Sequence, residues 1–229
     1  MKYLTWLTLI LFVGGSPLFA YMHGNKPVHG NKFTGEWVMN IGTVNFVQHG
    51  NDVTGTIAGY GGVWNQSMIG KAKGNEVSFS TSYLGDFTLV LDSSRNQLKT
   101  KSPDLSFCGI RSDVTQEVPK GCGFTDKWIV APNNIFPQGT YIVLTQTADQ
   151  VTGNMYDGNG QMFDSITGTV YWGKGWRMNG TTNLDPVTFI INAAETGFEI
   201  VFDPSNNLQL CAVREGQTSA YLGYFTCQP

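Results

Sequence analysis

The chain has 229 residues, of which 17 are acidic and 14 basic, for a net charge of −3 with histidine neutral. That mild acidity, with Lys and Arg scattered, offers no electrostatic footprint for nucleic acid or anionic lipid, and neither is an expected partner. Twenty-eight glycines and only 14% charged residues, with frequent Thr, Val, Phe and Tyr, favour short strands and tight turns over helices, so composition reads as all-β.

In chain order, residues 1–20 (MKYLTWLTLILFVGGSPLFA) come first. Lys2, an apolar run from Tyr3 to Val13, a Gly-Gly-Ser-Pro break and Ala20 have the layout of a cleavable signal peptide, with a run too short to span a bilayer. No later segment approaches about 18 unbroken apolar residues. The expectation is an exported protein, secreted or periplasmic, without membrane insertion. Residues 21–32 form a polar tail, and cleavage after Ala20 would leave Tyr21-Met22-His23 at the new N-terminus. A free amine, two amide nitrogens and the His23 imidazole suit square-planar Cu(II), the single metal ion expected; no other cofactor is.

From residue 33 the sequence is written twice. FTGEW (33–37) matches FTDKW (124–128), and QHGNDVTG (48–55) matches QTADQVTG (146–153). LSFCGIR (105–111) matches LQLCAVR (208–214), each with a second cysteine beyond it. DFTLVLDSSRN (86–96) is aligned with GFEIVFDPSNN (197–207), which makes Asp92 and Asp203 equivalent turn residues. The result is a tandem duplication of roughly 90 residues, spanning 33–123 and 124–229, longer than most solenoid units.

Within a copy the apolar period is two: Val44 and Phe46, then Val53, Gly55 and Ile57, then Val77 and Phe79, then Phe87, Leu89 and Leu91. Separated by Gly, Asn, Asp and Ser turns, these read as half-buried antiparallel strands. About seven or eight per copy, with Val-Thr-Gly in the third, would close as a small up-and-down barrel or a sandwich. The Val-Thr-Gly glycine should mark a bulge, a bend or a close backbone approach.

Gly35-Glu36-Trp37 on the first strand resembles the opening signature of the calycins, the lipocalin and avidin group of ligand-binding barrels. In that group an Arg or Lys on the last strand packs over the Trp. The resemblance therefore implies that Arg111 stacks on Trp37 and, in the second copy, Arg214 on Trp128. The second copy carries Asp126 where the signature has glycine. Because each Arg finds a Trp within its own copy, each copy is expected to fold by itself.

Four cysteines allow three connectivities. Duplication favours the local one, Cys108 with Cys122 and Cys211 with Cys227, each loop stabilising by about 3 kcal/mol on the chain-entropy argument. An export signal and the lack of any C-x-x-C pair argue against redox or zinc chemistry.

All three histidines lie within the first fifty residues and no Gly-x-Ser-x-Gly occurs, so no hydrolytic triad is expected. The aromatics are the candidate ligand-binding residues: Tyr60 and Trp64, Tyr156, and Tyr171, Trp172 and Trp176 around a Gly-Lys-Gly turn. Rings exposed at a barrel mouth would suit sugar faces or apolar ligands. The expected function is binding of a small molecule or glycan without catalysis. The alternative is a structural or envelope-associated interaction module whose aromatics only pack, and a carboxylate-pair enzyme acting on carbohydrate comes third.

Overall fold

The computed structural model describes residues 31–62, 64–82, 84–102, 105–173, 175–183, 185–202 and 209–229. The expected signal segment, the tail through residue 30 with the expected copper ligands Tyr21, Met22 and His23, and Asp203 lie outside the described residues. Within them every regular element is a strand.

The first copy forms β1 (Gly35–Met39), β2 (Gly42–His49), β3 (Asp52–Gly59), β4 (Asn65–Lys73), β5 (Glu76–Thr81), β6 (Gly85–Leu91), β7 (Gln97–Thr100) and β8 (Cys108–Arg111). The second forms β9 (Asp126–Val130), β10 (Tyr141–Thr147), β11 (Gln150–Tyr156), β12 (Met162–Gly173), β13 (Gly175–Thr181), β14 (Pro186–Ile191), β15 (Gly197–Phe202) and β16 (Gln209–Arg214). Each set is a closed, sequentially ordered antiparallel barrel, so the fold is two up-and-down barrels in tandem and not sandwiches. Closure comes from β8 on β1, with Arg111 opposite Trp37, and from β16 on β9, with Arg214 opposite Trp128.

Alternation explains the walls. Val53, Gly55 and Ile57 of β3 face inward while Thr54, Thr56 and Ala58 face solvent, and the other strands follow the same rule. The glycine of each Val-Thr-Gly marks a close approach. A Cβ at Gly55 would lie 2.7 Å from the Phe46 ring, and one at Gly153 would lie 2.1 Å from the Val143 carbonyl oxygen.

The disulfides are Cys108–Cys122 and Cys211–Cys227, closing segments of 14 and 16 residues. In each barrel the chain leaving the last strand folds back and is pinned to that strand. After β16 the returning segment carries the small hairpin β17 (Ala220–Tyr221) and β18 (Thr226–Cys227). After β8 it carries the chain into the second barrel, bridging Glu117 to Thr147 on the way. Such bonds form and persist in oxidising compartments.

Strand pairing corrects one part of the repeat. β6 is equivalent to β14, so FTLVLDSSRN (87–96) matches VTFIINAAET (187–196) and not 197–207. The two turns share their hydrogen bonds: Arg95 N to Asp92 O at 3.1 Å and Glu195 N to Asn192 O at 2.9 Å. They share a positive φ too, 63° at Arg95 and 54° at Glu195. The mate of Asp92 is therefore Asn192. The misalignment has a physical source: β15 has the same alternating apolar pattern as β6, and period two alone does not say which strand is which.

Candidate functional site

One end of each barrel, the floor, repeats atom for atom. Arg111 lies 4.4 Å over Trp37 and Arg214 lies 4.2 Å over Trp128. Each indole donates to a backbone carbonyl four residues back, Trp37 Nε1 to Phe33 O and Trp128 Nε1 to Phe124 O, both at 2.9 Å. Each repeated glutamine holds the entry to the first strand, Gln48 Oε1 accepting from Phe33 N at 3.2 Å and Gln146 Oε1 from Phe124 N at 3.1 Å. The Gln…Val-Thr-Gly phrase thus encodes a barrel floor. Where the second copy lacks the signature glycine, Asp126 accepts from Arg214 at 3.1 Å and so compensates for it.

The opposite end of the first barrel docks on the floor of the second. Gln146 Nε2 donates to Asn40 O at 2.9 Å, Ser106 N to Ala193 O at 2.9 Å, and Asn40 Nδ2 to the Glu195 carboxylate. Trp64 meets Trp176 edge-on at 6.3 Å, Trp172 packs on Trp176 at 4.2 Å, and the Gly61 backbone lies against Tyr171. Tyr60 donates to Met39 O at 2.9 Å. Burial first, and then the Asp149 charge, raise its pKa well above the usual tyrosine value. Five of the six candidate aromatics are therefore brought together, but at a joint. Tyr156 stands apart at the far end of the second barrel, stacked on Tyr141 at 4.9 Å.

Glu195 is the most deeply buried acid of the joint, 3% exposed. Its Oε2 accepts from Gly123 N at 2.7 Å and lies 3.8 Å from Cys108 Sγ of the first disulfide. Burial pushes its pKa above the ordinary glutamate value, against the opposing pull of the Arg214 charge and of donors on Gly123, Asn40 and Ser106. Cys108, Cys122 and Glu195 cluster closely enough to suggest a metal site, but both sulfurs are spent in the disulfide.

The far end of the second barrel holds a cavity of about 750 Å³, within the usual size of ligand sites. Its apolar wall includes Phe136, Met155, Phe163, Phe202 and Leu210, reaching the surface at Ile135, 55% exposed. Strand register shows why the space is there. In the first barrel Phe46, Phe79, Phe87 and Phe107 form a line of rings packed at 5.4–5.5 Å that runs from the floor end, where Phe46 is opposite Gly35, up to Phe107, whose mate Leu210 lines the cavity. The equivalent positions hold Leu144, Gly180, Val187 and Leu210. Two further devices shape the mouth. Loop 131–140 replaces the tight Asn40-Ile41 turn of the first barrel and brings Ile135 and Phe136. A bulge after Met155 leaves Phe163 unpaired, so its ring turns to the rim, where it lies 6.4 Å from Phe136.

Three aspartates also line the cavity, Asp157, Asp164 and Asp185. Asp157 Oδ1 caps its own loop, accepting from Gln161 N at 2.8 Å and Asn159 N at 2.9 Å. The amide of Gln161 first, and then those of Asn159 and Gly160 with the Asn159 side chain, hold its pKa below the usual aspartate value despite slight desolvation. None of the cavity residues was singled out by sequence. The signal was present as the loss of four phenylalanines between copies, readable only in the corrected alignment.

Comparison of the chain with family models, with curated proteins and with solved structures gives no match.

Proposed function

We propose that this is an exported binding protein that holds a small, largely apolar molecule in the far end of its second barrel. The first barrel is then its filled support. The observation that carries the reading is the cavity itself, enclosed by Phe136, Met155, Phe163, Phe202 and Leu210, the last standing where the first barrel has Phe107. The signal-like N-terminus and the two disulfides support export. The duplicated Trp–Arg floor supports reading each barrel as calycin-like. A glycan fits less well, because the indoles suited to sugar faces are spent in the joint.

The test is a titration with the neutral fluorophore N-phenyl-1-naphthylamine. The native protein should enhance its emission saturably at one site. Leu210→Phe, which installs the residue of the first barrel, should weaken binding by about tenfold or more while the protein stays folded. Absence of saturable binding, or equal binding by the variant, would sink the proposal.

A further inference from the structure

The cavity also has a polarity, and its lining points to the chemistry of the occupant. We infer that the ligand is a cationic amphiphile, an apolar body with a protonated amine or quaternary ammonium head seated against Asp164. This rests on the binding reading above.

Asp164 stands on the inward face of β12 and is only 7% exposed. Its Oδ1 accepts from Ser165 N at 2.8 Å and from Asn183 N at 2.9 Å, while Oδ2 accepts no hydrogen bond. A largely buried carboxylate that keeps one oxygen open beside an apolar space favours a donor or cation there. The equivalent position of the first barrel is neutral Gln66, opposite Ile57 as Asp164 is opposite Met155. The negative charge thus belongs to the barrel with the cavity and not to the repeat as such. Asp157 and Asp185 add to it, and no lysine or arginine lines the space among the described residues. The bulge-directed Phe163 and its neighbour Phe136 offer ring faces to an ammonium group. A ligand headed by a carboxylate would meet three like charges there, and a neutral alcohol could donate to Asp164 but bring no charge to offset them.

The test uses the full exported chain and three ligands matched in their apolar part: dodecylamine, dodecanol and dodecanoic acid. Each competes with N-phenyl-1-naphthylamine at neutral pH, below its micellar concentration. The amine should bind about tenfold or more tightly than the alcohol, and the acid most weakly. Asp164→Asn keeps the Oδ1 acceptor for Ser165 and Asn183, and should bring amine and alcohol within about twofold of each other. Should that variant not fold, dodecyltrimethylammonium against dodecanol on the native protein supplies the same contrast, the ammonium again binding more tightly. Equal affinities, preference for the acid, or an amine preference that survives in Asp164→Asn would each overturn the cationic assignment and leave the cavity reading standing. If the fluorophore binds but no dodecyl compound displaces it, the cationic assignment also falls. If the fluorophore itself does not bind, the cavity reading falls and takes this inference with it.

Discussion

The first barrel threads four phenylalanines through its interior, from Phe46 opposite Gly35 to Phe107 at the far end, where the second has a leucine, a glycine, a valine and a leucine. The second concentrates aromatic mass lower down, with Phe189 and Phe198 in place of Leu89 and Leu98, and Phe198 lies 4.6 Å from Trp128. The floors kept the same residues because each must close a barrel: Trp, Arg and Gln satisfy one another and the entering backbone there. The far ends bear no such duty. One became a docking face for the next barrel, and the other kept an unfilled space. In a tandem repeat, the shared residues therefore report how the unit folds, and the replaced ones point to where it acts.

Cutting the chain tests that division most severely. Residues 31–123 and 124–229, expressed as separate exported fragments, should each unfold cooperatively, because each retains its own closed barrel and Trp–Arg stack. Each should have a lower denaturant midpoint than the intact chain, since Asn40, Gln146, Trp176 and Glu195 lose their cover. If neither fragment shows a transition, the two barrels share a single folding core, as the continuous cluster of buried side chains through the joint would then require.

The floors themselves should differ in strength. Arg214 is buried and donates to Glu195 O, Thr125 O, Gly123 O and Asp126. Arg111 is half-buried and serves Arg95 O, Thr34 O and Lys32 O. Arg214→Ala should cost about 3 to 5 kcal/mol, because it strands a buried carboxylate. Arg111→Ala should cost about 1 to 3 kcal/mol, in the range of hydrogen-bond loss alone. Urea denaturation of the two variants reads the difference, and equal losses would refute it.

The equivalent turns sharpen the contrast further. Glu195→Ala leaves Gly123 N and the Asn40 amide without their acceptor and should cost about 1 to 3 kcal/mol. Arg95→Ala, at the matching exposed position, should stay within about 0.5 kcal/mol of native. Because the pKa of Glu195 is raised on folding, the folded chain binds the extra proton above the ordinary glutamate range. Native stability should then fall as pH rises from about 4 through the raised value. Glu195→Gln lacks that slope and should gain on the native chain as pH increases; a pH-independent difference would contradict the burial argument.

A small effect is also expected at Asp92. Its Oδ1 accepts from Asn96 N and Gln97 N, both at 3.0 Å, as Asn192 Oδ1 accepts from Thr196 N at 2.9 Å and Gly197 N at 3.2 Å. Desolvation alone would raise its pKa, but the Ser94 hydroxyl and the amides of Gln97, Asn96 and Ser94 hold it below the usual aspartate value. Its contribution is present above the unfolded aspartate pKa and is lost as pH falls through the lowered folded one. Asp92→Asn, the residue the second barrel uses, should change neutral-pH stability by less than about 1 kcal/mol and flatten the acid limb. Thermal unfolding between about pH 3 and 7 measures both.

The amino-acid sequence by itself determined the all-β class, the duplication, the Trp37–Arg111 and Trp128–Arg214 stacks and both disulfides. Alternation sets which face is buried, duplication favours the local cysteine pairing, and the resemblance to the calycin signature implied the Trp–Arg stacks. Tertiary structure alone decided where Trp64, Trp172 and Trp176 end up, because an indole beside a turn is exposed or buried according to what docks on that end. It also decided which strand matches which, since period-two alternation gives β6 and β15 the same signature and only hydrogen-bond register separates them. The cavity followed from that register. Leu210 is an unremarkable strand residue in the sequence, and its place in the wall of an empty volume shows only when it is set against Phe107 of the other barrel.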